Sequence, residues 1–317
     1  MRNAESVRGG RIQAGGVGTS MQTIARSATL RRLFERRKTV HIPCAYDGLS
    51  ARIAEQAGFA AVALSGNAVS ASLLGVPDIG VLGMAENVEH AGRVARSLNV
   101  PLLCDADTGY GGVLNVIRTV REFEAAGVAG IHIEDQVTPK RCALLPQGIP
   151  VVTCDEQTRR IRAAVEARHS PDFLIIARTD AKSMHGLEDA AARTRAYIEA
   201  GADAALVMGA DTPQELTYVA GIVRAPLVTV IQESPPTTEL TDAVLNEAGC
   251  AFALHAGVVR YAVVKALREA LGALARDGNT ASVRGMMASF EEYNAALGLE
   301  EWLSLEEKYL GPPRRAD

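Results

Sequence analysis

The stretch Pro101-Leu-Leu-Cys-Asp105, the amphipathic segment 113–126, the stop Ala125-Ala126-Gly127 and the run Gly130-Ile-His-Ile-Glu134 read as strand, helix, helix end and strand. Both strands are almost continuously apolar up to their last residues, the pattern of parallel strands buried on both faces. A glycine just past the last helical turn is where a helix stops in the left-handed conformation. The unit recurs outward along the chain, because Gln56-Ala-Gly58, Glu199-Ala-Gly201 and Glu247-Ala-Gly249 each close an Ala-rich segment before another apolar run. Strands are predicted at 39–45, 60–65, 101–105, 130–134, 173–178, 204–208, 226–231 and 250–255, and helices at 48–57, 84–97, 113–126, 155–168, 187–200, 213–222, 239–248 and 258–274. Eight such units within about 250 residues predict a (β/α)8 barrel. A doubly wound open sheet is the alternative, but no Gly-x-Gly-x-x-Gly follows any of these strands.

Residues 26–275 are therefore assigned to the barrel, 1–25 to a flexible N-terminal extension without an apolar h-region, and 276–317 to a helical tail patterned at 286–297 and 303–309. The tail's apolar side chains, Met287, Phe290, Trp302 and Leu305 among them, need a surface on the barrel or on a neighbouring subunit. Lys+Arg (33) nearly balance Asp+Glu (37), for a net charge of -4. So mild a field offers phosphate backbones and anionic membranes no general attraction, which argues against a nucleic acid or membrane partner. The apolar runs at 59–64 and 131–133 fall far short of the roughly 20 residues a membrane span requires. Cys44, Cys104, Cys142, Cys154 and Cys250 are scattered with no Cys-x-x-Cys pair, so neither a disulfide scaffold nor a zinc site is expected, and a reducing cytoplasm is the expected home.

Barrel enzymes carry their chemistry at the carboxyl ends of the strands. Those ends read Tyr46-Asp47, Ser65-Gly66-Asn67, Asp105-Ala-Asp107, His132-Ile-Glu134-Asp135, Arg178-Thr-Asp180, Gln232-Glu233 and His255. Strand alternation would aim Asp105 and Asp107 to one side, and Glu134 comes from the next strand end. Three carboxylates with no Lys or Arg in the same motif repel one another unless protons or a cation relieve them. A hard dication such as Mg2+ does so while keeping several waters and touching only one or two carboxylates. Helix capping or pairing with arginine is the plain alternative for any single acid. Arg178 either neutralises an acid of this cluster or grips a substrate carboxylate with its planar fork. Cys142, in the loop 136–148, follows Lys140 and Arg141, and two adjacent cations favour a thiolate. That marks it as an acid/base ahead of Cys44, Cys104 and Cys250, which sit in apolar strands; an inert loop thiol is the alternative.

Leu64-Ser-Gly66, Val76-Pro-Asp78, Asp105-Ala-Asp-Thr-Gly-Tyr-Gly111, His132-Ile-Glu-Asp-Gln136, Lys140-Arg-Cys142 and Ala177-Arg-Thr-Asp-Ala181 together resemble the isocitrate lyase/phosphoenolpyruvate mutase superfamily, in consistent order from about residue 30 to 310. The resemblance implies a (β/α)8 barrel whose last helix swaps between subunits of a homotetramer or dimer. It also implies Mg2+, with Mn2+ able to replace it, and a small 2-hydroxy- or 2-oxo-dicarboxylate reacting through an enolate. Asp105 matches the direct metal ligand, and Asp107 and Glu134 the acids that hold metal-bound waters. Ser65, Gly66 and Asp78 match substrate or metal-shell positions, Arg178 a carboxylate-binding arginine, and Lys140-Arg141-Cys142 the gating loop of the lyases. Asn67, His132 and His255 complete the expected substrate-binding set, with Cys142, Arg178 and Lys140 as catalytic residues. The chain departs from the lyase pattern at Ala143-Leu144, where lyases continue with Gly-His, and at Gly209 and Val230, where they carry glutamate and asparagine. The expected activity is carbon–carbon cleavage of the 2-methylisocitrate lyase kind. An oxaloacetate decarboxylase and a non-catalytic metabolite-binding barrel are the alternatives.

Overall fold

A computed structural model describes residues 16–36, 38–142 and 148–310. Eight strands, β1 (Val40–Ala45), β2 (Val62–Leu64), β3 (Leu102–Asp105), β4 (Gly130–Glu134), β5 (Leu174–Thr179), β6 (Ala204–Val207), β7 (Leu227–Ile231) and β8 (Cys250–His255), close into one parallel barrel in sequence order. Helices α1 (Gly16–Phe34), α2 (Gly48–Gln56), α3 (Gly66–Leu74), α4 (Met84–Ser97), α5 (Val113–Ala125), α6 (Cys154–Ala167), α7 (Lys182–Glu199), α8 (Pro213–Val223), α9 (Asp242–Glu247) and α10 (Val258–Asp277) surround it. The predicted (β/α)8 barrel is thus the observed architecture.

Alternation along each strand sorts its residues into two sets. Ile42, Leu103, Leu174, Ile176, Leu206, Phe252 and Leu254 fill the barrel interior, while Val62, Leu102, Ile131, Ile133, Ile175 and Ala177 pack outward against the helices. In β3, β4 and β5 the inward parity continues to the rim, and it is this continuation that delivers Asp105, Glu134 and Arg178 to one end of the barrel.

Two helices were not predicted. Helix α1 crosses the expected boundary at residue 25, and its Leu30, Leu33 and Phe34 join the interior cluster; the extension's first fifteen residues lie outside the described ones. Helix α3 begins at the Ser65 cap, whose hydroxyl accepts from the Ala68 backbone, and ends at Gly75 in the left-handed conformation. In the tail, α11 (Phe290–Leu297) lies on α2, where Arg52 and Gln56 donate to the Ala296 carbonyl at 3.1 and 3.0 Å. Phe290, Trp302, Tyr309 and Leu310 of α11 and α12 (Leu299–Leu310) stay exposed. Among the described residues no helix is long and apolar enough to cross a membrane.

Candidate active site

Parity and register build the acidic end of the barrel. Asp105 sits beside His132 across β3 and β4, and Glu134 beside Arg178 across β4 and β5. Asp107 reaches the cluster by a route other than strand alternation. Strand β3 ends at Asp105, and Asp107 lies in a turn with φ 48°, its backbone N–H donating to Asp105 Oδ1 at 3.0 Å. A left-handed non-glycine residue held in place at such a rim is strain that the surroundings must maintain. Gly66 faces the cluster because nothing larger fits there: a Cβ would fall 2.8 Å from Asp105 Oδ2, to which the Gly66 N–H donates at 3.3 Å.

No Lys or Arg lies in the acids' own motif, but two basic residues from elsewhere in the chain reach them. Lys140 Nζ lies 2.6 Å from Asp78 and 2.7 Å from Asp107, and Arg178 lies 2.9 Å from Glu134 and forks onto Asp180 at 3.0 and 2.9 Å. Arg178 therefore does neutralise acids of the cluster, while its guanidinium also lines the cavity. The balance stays negative, since among the described residues five carboxylates (Asp78, Asp105, Asp107, Glu134 and Asp180) meet only these two cations.

Burial would raise the Asp105 carboxyl, but His132, Lys140 and Arg178 hold it well below its ordinary value. For Asp107 burial prevails over the neighbouring Lys140 and lifts the carboxyl to about 6. Glu134 is raised further by burial, which Arg178 only partly offsets, and its Oε1 is buried without a hydrogen-bond partner. Burial opposes charge on Arg178 and Lys140, yet the surrounding carboxylates more than compensate and keep both cationic. Burial also lowers His132, against the pull of Asp105.

Above these groups a cavity open to solvent is lined by Ser65, Asn67, Asp105, Cys142, Arg178 and Arg260, among others. Cys142 Sγ accepts a hydrogen bond from Asn67 Nδ2 at 3.3 Å, and the Cys142 backbone N–H donates to the Asp78 carbonyl at 3.0 Å. The cations beside it in sequence do not serve it. The Lys140 ammonium is held by two acids, and Arg141 turns to the Ile79 carbonyl at 2.8 Å, its backbone pinned by the Gln136 amide. Cys142 thus shares a cavity with Asp105 and Arg178 through Asn67 and Asp78. Ala143 and Leu144 lie outside the described residues. Val230 lines this cavity, and Gly209 an adjoining one that shares Met208 and Gln232.

His255 is not brought to the site. It has the outward parity of Ala253, and its ring bonds His41 and Glu233, each at 2.9 Å. Its neighbours Leu254 and Ala256 line the cavity instead. Conversely, sequence reasoning missed Arg260, which enters the cavity from α10 and donates to Asn67 Oδ1.

Burial raises the Cys44 and Cys250 thiols to about 12 and that of Cys104 well above its ordinary value, whereas Cys142 is only half-buried. Iodoacetamide at pH 8 is therefore expected to alkylate Cys142 while sparing these three, and peptide mass mapping checks it.

A family model described as phosphoenolpyruvate phosphomutase matches residues 30–275. The 2,3-dimethylmalate lyase of Eubacterium barkeri is 38% identical over 283 residues, covering 89% of this chain and 98% of that protein. Oxaloacetate acetylhydrolase in complex with the inhibitor 3,3-difluorooxalacetate superposes with a TM-score of 0.85 at 32% identity, covering 91% of this chain and 98% of the other. Phosphonopyruvate hydrolase in complex with oxalate and Mg2+ gives 0.81 at 32% identity, with 90% and 99% covered.

Proposed function

The chain belongs to the isocitrate lyase/phosphoenolpyruvate mutase superfamily, and on that premise we propose that it is a Mg2+-dependent lyase cleaving a carbon–carbon bond of a small 2-hydroxydicarboxylate. The observation that carries the reading is Cys142 Sγ in one cavity with Asp105 and Arg178, its direction set by the Asn67 amide. A thiol sharing a cavity with an anion-binding end is what the carbanion of such a cleavage needs as proton donor, whereas the enolate left by decarboxylation can take its proton from water and simple binding needs none.

The donor set suits a dication. The excess of carboxylate over cation and the unpartnered Glu134 Oε1 are both relieved by a doubly charged ion. Among the described residues no three His, Cys, Asp or Glu side chains are placed to hold an ion directly. Mg2+ does not require such a group, since it takes one or two carboxylates and keeps its waters. Asp105 would bind it, with Asp107 and Glu134 accepting from its waters. When bound, Mg2+ supplies a Lewis acid for the substrate's C2 oxygen and its neighbouring carboxylate.

The protein's own groups do the rest. Arg178 grips the carboxylate next to C2 without giving up its acidic partners, since each of its terminal nitrogens carries a second hydrogen. The C2 hydroxyl loses its proton to a carboxylate of the cluster and the C2–C3 bond breaks. C2 becomes the carbonyl of a 2-oxo acid, and the electron pair on C3 takes the proton of Cys142. A closing loop around residues 140–142 would keep water from that carbanion.

Purified protein with Mg2+, assayed against 2,3-dimethylmalate, 2-methylisocitrate, citramalate-like acids and oxaloacetate, tests this. A 2-oxo acid released from a 2-hydroxydicarboxylate, and lost on adding EDTA, is expected. Release from none of the hydroxy acids contradicts the reading, and release from oxaloacetate alone marks a decarboxylase instead.

A further inference from the structure

One cation on the cavity wall faces no acid. Arg260 stands in the first turn of α10, where its guanidinium donates to Asn67 Oδ1 and to the Tyr261 hydroxyl at 3.0 Å and lies 4.7 Å from the Tyr261 ring centre. Its Nε is buried without a hydrogen-bond partner, and no carboxylate among the described residues forms an ion pair with it. Lys140 and Arg178, by contrast, are each held by two acids within 3 Å. A partly desolvated guanidinium with only neutral partners is costly, and an anion arriving with the ligand removes that cost.

Its place in the barrel says which anion. Arg178 enters from β5 and Arg260 follows β8, three strands further round the closed ring, so the two arginines approach the cavity from separate sides. Arg260 also holds Asn67, the residue that donates to Cys142. A group bound to Arg260 therefore lies beside the thiol rather than beside the acidic cluster.

We propose that Arg260 binds the substrate's second carboxylate, the one remote from Arg178, and so makes the cavity selective for dicarboxylates over monocarboxylates. This rests on the lyase reading above. In a 2-hydroxydicarboxylate of the malate type the remote carboxylate is attached to C3, the carbon that takes the Cys142 proton, so anchor and proton donor belong on the same side. The competing role is a structural one, in which Arg260 only orients Asn67.

Two probes separate these roles by calorimetry in the presence of Mg2+: pyruvate, a monocarboxylate, and 3,3-difluorooxaloacetate, a dicarboxylate. Arg260→Gln should weaken the dicarboxylate about 10- to 100-fold, the worth of a charged hydrogen-bond pair, and change pyruvate binding by less than about twofold. Arg260→Lys should restore part of the dicarboxylate affinity. Equal weakening of both probes, or of neither, overturns the proposal, as does an unmodified protein that binds pyruvate but not the dicarboxylate. A protein that binds both yet turns over no acid defeats the lyase reading alone, and the Arg260→Gln contrast still decides this one.

Discussion

Replacing Cys142 with serine is expected to lower the rate of carbon–carbon cleavage by about 10²–10⁴-fold, the usual worth of a positioned general acid. Serine keeps the size and can still accept from Asn67 Nδ2, now 3.3 Å from the sulfur, but an alcohol is a far weaker acid than a thiol. The loss should fall on kcat, because Asp105 and Arg178, proposed to hold the other end of the substrate, are untouched. Pyruvate affinity should therefore change by less than about twofold. An oxaloacetate decarboxylase needs no proton donor on the loop and would keep nearly full turnover, so steady-state kinetics of this one variant separate the two activities.

Arg178→Met is expected to cost about 3–5 kcal/mol of stability, because it strips the partner from two buried acids, Glu134 and Asp180. The loss should depend on pH, with a sign that follows from Glu134. Its carboxyl already lies above its ordinary value through burial, with Arg178 as the main opposing influence, and removing Arg178 raises it further. A folded-state value above the unfolded one means the native protein binds more protons, so stability falls as pH rises through that window. Urea denaturation should thus show a smaller deficit at pH 5 than at pH 8. Arg178→Lys keeps the charge without the fork that meets Asp180 at 3.0 and 2.9 Å. It should recover much of the stability and little of the activity.

Much of the site was legible because parity carries side chains to the rim. Asp105, His132, Glu134 and Arg178 are inward residues of β3, β4 and β5, and their spacing in the sequence is enough to place them together. The same rule misplaces His255 when it is read only as a strand end. Leu254 points inward, so His255 points to the helices and pairs with His41 and Glu233. Asp107 is found at the site for a reason other than the predicted alternation, since its φ of 48° turns the chain after β3 has ended.

Sequence adjacency failed where partners are long-range. Lys140 and Arg141 precede Cys142, yet both are drawn elsewhere, one to Asp78 and Asp107 and the other to Ile79. Arg260 had no local signal, because its entry to the cavity depends on where α10 begins relative to the barrel mouth. Helix α3 did have one, in the Ser65 cap and Gly75 stop, which are ordinary boundary residues.

Catalysis as proposed depends on the acids ending β3 and β4 holding a dication. Diffraction from crystals soaked in Mn2+, recorded at the manganese edge, tests it most directly. An anomalous peak bound to Asp105, with waters reaching Asp107 and Glu134, is expected. No peak there, with Lys140 still clamped between Asp78 and Asp107 and Arg178 still on Glu134, would contradict it.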